Sequence, residues 1–179
     1  MWLANVLDGH EKLPPRPPLS AMFRSLIGGG LSMLVLLLLS KYTNNQWIMA
    51  PFGASSVLLY AAAQSPLAQP RNVIGGHFIS ALTGLCVLKL LGVNVWSIAL
   101  AVGSAIVLMQ YFQCVHPPAG ANPLVILLTA SQMHYGWDFL LFPVLGGSVA
   151  LLVIAYVVNN LWTTQSWPGY ALALRNSKK

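Results

Sequence analysis

PFGASSVLLYAA, residues 51–62, and PAGANPLVILLT, residues 118–129, lie over one another without a gap. Pro51 then pairs with Pro118, Gly53 with Gly120, Ala54 with Ala121, Ser55 with Asn122 and Ser56 with Pro123. Each stretch follows a long apolar segment and precedes another that carries a glycine pair, Gly75 and Gly76 in the first half and Gly146 and Gly147 in the second. The chain reads as two copies of one unit: long helix, Pro/Gly break with a short helix, then long helix with paired glycines. The halves divide near Gly92 to Val95.

Composition sets the solvent for these units. Of 179 residues, 56% are apolar and 7% charged, with nine Lys plus Arg against three Asp plus Glu. Soluble domains carry roughly 25% charged residues, so lipid is the expected surrounding. Disorder is excluded by the apolar content, and a disulfide scaffold by the presence of only Cys86 and Cys114, each inside an apolar run. The net charge of +6 comes from basic residues scattered singly, without the aromatic interleaving of a nucleic-acid groove, and no nucleic-acid partner is expected. The first apolar run follows a PPRPP leader, lacks a small-residue cleavage site and should remain in the mature protein.

A spanning helix needs about 20 apolar residues. Leu19 to Ser40, Val73 to Leu91, Val95 to Phe112 and Trp137 to Leu161 meet that standard, flanked by residues suited to the headgroup zone, such as Lys41, Lys89, Asn94, Trp96 and Trp162. From Pro51 to Gln64 and from Pro117 to Ser131, a helix would be only about 21 to 23 Å long. The fold class is thus an all-α integral membrane protein: four full spans plus two short or re-entrant helices. The expected divisions are a cytoplasmic leader 1–18, a first repeat 19–92, a second 93–162 and a cytoplasmic tail 163–179. Lys12, Arg16, Arg24, Arg71, Arg175, Lys178 and Lys179 share the side of the termini if the short pieces cross, with Lys41 and Lys89 opposite; if they are re-entrant, Lys89 exchanges with Arg71. Either count makes the termini cytoplasmic and leaves four against six spans open. Broken helices in inverted repeats favour three plus three.

Small residues four apart, as at Gly76, Ser80 and Gly84, at Ser25 and Gly29, at Ala99 and Gly103, or at Gly146 and Ala150, are explained by close helix packing. Packing does not explain prolines that delete backbone donors at Pro51 and at Pro117 to Pro123. A helix that begins within the bilayer exposes N–H groups and the positive end of its dipole, and both favour an anion. The anion-binding candidates are Gly53, Ala54, Ser55 and Ser56 in the first break, and His116, Gly120, Ala121 and Asn122 in the second. After Glu11 the only acid is Asp138, which disfavours cation transport and leaves an enzyme no paired carboxylates, G-x-S-x-G or histidine cluster. Neither a metal nor a cofactor is expected.

His116, just before Pro117 and Pro118, is expected either to line the anion site, where protonation would strengthen binding, or to sit neutral against a carbonyl freed by the prolines. His77 is expected to make a structural hydrogen bond, with a place in the pathway as the alternative. Arg71 is read as an interfacial snorkelling residue or a vestibule residue of the pathway. His10 and His134 are expected to be solvated.

VHPPAGANPL, Val115 to Leu124, resembles the signature of the HPP family of small integral membrane proteins, named for the tripeptide at His116, Pro117 and Pro118. APFGASS from Ala50 to Ser56, AQPRNVIGGH from Ala68 to His77, and the glycine pair at Gly146 extend the likeness from about Leu19 to Leu161. The resemblance implies nitrite as the first substrate to test, since the family includes nitrite transporters of cyanobacterial plasma membranes and plastid envelopes. It also implies four spanning helices. Some members carry a soluble regulatory domain after the membrane portion; the tail Gln165 to Lys179 is too short for one, so no attached regulation is expected. The expected function is passage of a small monovalent anion, most simply nitrite, through a midplane site in a bacterial plasma membrane or plastid envelope. The alternative is a non-transporting membrane scaffold. The small-residue stripes make a homo-oligomer the expected assembly.

Overall fold

The computed structural model describes residues 14–161 and 166–170. The leader residues Lys12, His10 and Glu11, the interfacial Trp162 and the tail residues Arg175, Lys178 and Lys179 lie outside the described residues. Among the described residues six α-helices follow in order: α1 Leu19–Thr43, α2 Pro51–Ala61, α3 Pro70–Leu91, α4 Val95–Tyr111, α5 Asn122–Leu128 and α6 Gly147–Leu161. Tight 3₁₀ turns at Pro66–Ala68, Pro117–Ala121 and Trp137–Leu140 join them, and a π-helical turn at Leu141–Gly146 leads into α6. Among the described residues there is no strand.

Local sequence sets these boundaries. Proline occupies the first turn of α2, α3 and α5, where its missing N–H costs nothing. Gly92 adopts φ 66° to end α3, and Asn94 with Ser97 forms a capping box that starts α4. Two expected elements are altered by their prolines. The second short piece becomes a 3₁₀ turn plus a seven-residue α5, because Pro117, Pro118 and Pro123 remove three donors in succession. The last long segment is regular only from Gly147, because Pro143 interrupts the bonding pattern near its start. Leu19–Thr43, Pro70–Leu91 and Trp137–Leu161 are long and apolar enough to cross a membrane; Val95–Tyr111, with 17 residues, is shorter.

Side-chain contacts define two ends of the bundle. At one, Ser25 bonds the carbonyl of Tyr60, Arg71 bonds the carbonyls of Phe112 and Gln113, and Gln69 receives Gly169. At the other, Trp47 bonds Thr43 and stacks edge-on with Phe142, and Lys89 lies 5.3 Å from the Trp137 ring. Between them lies the core of Phe52, Leu59, Val73, Leu85, Ile126 and Leu151, all fully buried. The outer faces carry exposed Leu26, Leu34, Val107, Val153 and Leu161, a surface suited to lipid.

The glycine pairs lock the halves together. A Cβ built on Gly75 falls 3.0 Å from Cys114 Cβ, and one on Gly76 falls 2.9 Å from the Cys114 carbonyl. A Cβ on Gly146 falls 2.7 Å from the Trp47 indole, and one on Gly147 falls 2.7 Å from the Trp47 carbonyl. Cys114 stands four residues before Pro118 and Trp47 four before Pro51, so each half's glycine pair seats the approach to the other half's break. Ser80 and Gly84 continue the Gly76 row against Ala119 and Pro123, whereas a Cβ on Gly29 or Gly103 meets nothing within 4 Å. On α1 the buried row is Gly28, Ser32 and Leu36, one register away from the Ser25 and Gly29 row.

Candidate functional site

Four polar side chains from both halves meet in the middle of the core. Ser55 Oγ lies 2.8 Å from His77 Nε2 and 2.8 Å from His116 Nε2. His116 Nδ1 lies 2.8 Å from the Leu67 carbonyl, and Asn122 Nδ2 lies 3.2 Å from His77 Nδ1 and 3.0 Å from the His77 carbonyl. Ser55, His77 and His116 are fully buried and Asn122 is 1% exposed. Proximity follows from the backbone: the glycine at 76 lets α3 close on the chain at His116, and one turn of α2 below Pro51 carries Ser55 between the two rings.

The proton positions follow from the partners. Leu67 offers only a carbonyl, so His116 Nδ1 carries hydrogen and its Nε2 accepts. Asn122 must point its NH₂ at the His77 carbonyl, so it donates to His77 Nδ1 and leaves the hydrogen of His77 on Nε2. Hydrogen bonds then run one way, from Asn122 to His77 to Ser55 to His116 to Leu67, with every imidazole neutral and every ring nitrogen satisfied. Asn122 Oδ1 alone in this set has no hydrogen-bond partner. Phe52 closes the site edge-on against His77, with 5.0 Å between ring centroids.

Beside this cluster, a cleft of about 610 Å³ runs between the two breaks. Ala50, Pro51 and Ala54 form one wall and Pro117, Pro118 and Ala121 the other. The expected free backbone donors are largely engaged: Phe52 N–H bonds the Met49 carbonyl, Gly53 N–H that of Ala50, Ala119 N–H that of His116, and Asn122 N–H that of Ala119. Tight turns at the prolines satisfy groups that a regular helix start would leave open. A second cleft, about 390 Å³ and reaching Gln46, Thr129 and Tyr135, shares Ala50 with the first.

The sequence candidates thus separate. Ala54 and Ala121 line the shared cleft, while Ser55, His77, His116 and Asn122 bond one another behind it. Gly53 is exposed and lines neighbouring clefts with Met33, and Gly120 is half-buried with open space where a Cβ would stand. Ser56 bonds its own helix at the Phe52 carbonyl. Arg71 holds the carbonyls of Phe112 and Gln113, the two residues between α4 and Cys114. His134 is exposed. Leu67, Phe52 and Asn72, whose side chain bonds the Val115 carbonyl at 2.8 Å, complete the site without a motif to announce them; a backbone acceptor leaves no trace in residue type. Among the described residues no three His, Cys, Asp or Glu side chains are grouped to hold a metal ion.

Two transmembrane proteins of Dictyostelium discoideum are each 36% identical to the chain, over 177 and 168 residues, or 94% and 89% of it. The chain spans 61% and 54% of their lengths. No solved structure matches it. Residues 14–168, which contain both breaks, His77 and His116, match the transmembrane region of the HPP family, and the chain belongs to that family of membrane proteins.

Proposed function

We propose that the protein carries a small monovalent anion, nitrite first, across a lipid bilayer. The observation that carries this reading is the cleft shared by the two breaks, backed by His77 and His116. Its wall residues, which include Val57 and Leu58 beside the alanines and prolines, are uncharged. Asp138 is the one acid among residues 14–161, so a cation finds no counter-charge here. The cleft that reaches Gln46 and Tyr135 supplies a vestibule on one side.

The exchanged glycine contacts support two inverted repeats of three segments, with six passes through the bilayer and both termini on the cytoplasmic side of a plasma membrane or plastid envelope. On this reading the protein is a transporter and not an enzyme, and a homo-oligomer fits the exposed apolar faces of α1, α4 and α6. Purified protein in liposomes should admit nitrite faster than empty liposomes, and Ala54→Trp or Ala121→Trp, which fill the cleft, should reduce entry at least tenfold.

The closed hydrogen bonding of the histidine cluster favours a second reading, a scaffold whose polar core only fixes the packing. Thermal melts with nitrite, nitrate, chloride and formate separate the two, because a ligand that binds the folded state alone raises its stability. A melting point indifferent to all four anions would support the scaffold.

A further inference from the structure

We propose that His77, Ser55 and His116 form a binding site for one exchangeable proton behind the anion cleft, so that each anion moves with one proton. The proposal rests on the anion reading above and adds its coupling ion.

The geometry is that of a two-state hydroxyl. In the neutral cluster Ser55 accepts from His77 Nε2–H and donates to His116 Nε2. A third partner stands ready, since Ser55 Oγ also lies 3.3 Å from the Pro51 carbonyl of its own helix. When a proton binds His116 Nε2, the Ser55 O–H turns to Pro51, and its two lone pairs accept one N–H from each imidazole. Every polar group named is satisfied before and after. The only covalent change is one N–H bond made on loading and broken on release, with Ser55 turning back.

Loading costs free energy in isolation, because a buried unpaired charge gives up its hydration. Among the described residues the groups that face the pair carry no negative charge to offset it. From α2 the pair faces Phe52 and Ser55, from α5 Asn122, and from the turn before α3 the Leu67 carbonyl, all uncharged. Cys114 packs on Gly75, and the Tyr170 hydroxyl bonds the Pro66 carbonyl and Asn72. Arg71, the nearest cation along α3, is of the same sign and engaged with Phe112 and Gln113. Asp138 sits in the turn at the opposite end, near Lys89 and Trp137. An anion in the cleft supplies the negative charge. The cleft lies one residue from the cluster in each break, at Ala54 beside Ser55 and at Pro117 beside His116. Anion and proton binding then strengthen each other by the same factor.

The test is wild-type protein in liposomes loaded with a pH-sensitive dye and assayed for internal nitrite, with the membrane potential clamped by potassium and valinomycin. Leak of nitrous acid through empty liposomes is subtracted. Coupling requires one proton delivered per nitrite, with entry insensitive to the clamped potential. It also requires His116→Gln and Ser55→Ala to lower the proton-linked entry at least tenfold. Nitrite entry that follows the potential without matching acidification would overturn the proton site and leave anion passage standing. No entry above empty liposomes would overturn both. The wild-type ratio decides between these outcomes even if either variant fails to fold.

Discussion

The ring of His77 meets that of His116 edge to face, with 5.0 Å between centroids and 63° between planes, although the two residues belong to opposite halves of the chain. Ser55 bridges their Nε2 atoms, and Asn122, the residue that pairs with Ser55 when the halves are overlaid, holds the other nitrogen of His77. Equivalent positions of the two breaks therefore grip the two sides of one imidazole. The equivalents of the histidines do not repeat this: Ser148 stands where the second half would need His77, and Met49 where the first would need His116. The pairing is one-sided, so the two imidazoles and their shared hydroxyl occur once, among core polar groups that are otherwise uncharged hydroxyls and amides.

Replacing Ser55 by alanine leaves two buried ring nitrogens without their shared partner. Each such group costs about 1–3 kcal/mol, so Ser55→Ala should lower stability by about 2–6 kcal/mol in detergent. Ser56→Ala removes only a bond to its own helix at Phe52 and should cost under about 1 kcal/mol. Equilibrium unfolding of the two variants side by side checks the contrast, and equal losses would dissolve it.

The one-way run of hydrogen bonds makes a spectroscopic prediction. With ¹⁵N-labelled histidine at neutral pH, His116 should carry its hydrogen on Nδ1, facing Leu67, and His77 on Nε2, facing Ser55. Nitrogen chemical shifts distinguish the tautomers. A hydrogen on His116 Nε2 in the neutral ring would reverse the direction of the chain and with it the role given to Ser55.

Much of this was legible in residue types alone. The overlay of Pro51 to Ala62 on Pro118 to Thr129, and the glycine pairs that follow, located the breaks, because a Pro/Gly cluster in an apolar run has few other uses. Four of the polar candidates, Ser55, His77, His116 and Asn122, do converge. Their mutual bonding was not legible, because it depends on how deeply α3 settles against Cys114, a distance set by the glycines at 75 and 76 and by Cys114 itself. The engaged backbone donors at Phe52 and Gly53 were hidden for a related reason: a proline predicts where a helix starts and not which carbonyl its first N–H groups find. Leu67 and Pro51 contribute carbonyls, which every residue type possesses.

The exchanged glycine contacts predict a matched pair of failures. A methyl on Gly76 would stand 2.7 Å from His116 Cβ and 2.9 Å from the Cys114 carbonyl, and one on Gly147 would stand 2.7 Å from the Trp47 carbonyl and closer still to Phe52. Backbone cannot swing aside as a side chain can, so Gly76→Ala and Gly147→Ala should each cost about 3 kcal/mol or more, consistent with overpacking of a tight core. Gly103→Ala adds a methyl to open space on α4 and should stabilise by about 0.5–1 kcal/mol through helix propensity. Melting curves of the three variants test the pattern. Loss in Gly76→Ala without loss in Gly147→Ala would mean that the two halves are not seated in each other in the same way.

The segment after α6 is held by the loop that also receives His116. Gln69 is buried and uses both ends of its amide: Nε2 donates to the carbonyls of Ala63 and Ser65, while Oε1 accepts from the N–H of Gly169 at 2.8 Å and of Tyr170 at 3.4 Å. Tyr170 Oη donates to the Pro66 carbonyl or to Asn72 Oδ1, and Asn72 in turn bonds Val115, next to His116. Asn160 fastens the same segment by bonding both the N–H and the carbonyl of Trp167. Gln69→Leu keeps the bulk and removes four hydrogen bonds, two of them to the segment, so it should free residues 166–170 while α6 stays folded. Amide exchange at Gly169 and Tyr170 should quicken at least tenfold, with exchange in the middle of α6 unchanged. Tyr170→Phe, which keeps the backbone bonds to Gln69, should quicken it less. Unchanged exchange in Gln69→Leu would show that Asn160 and the Tyr170 hydroxyl hold the segment without Gln69.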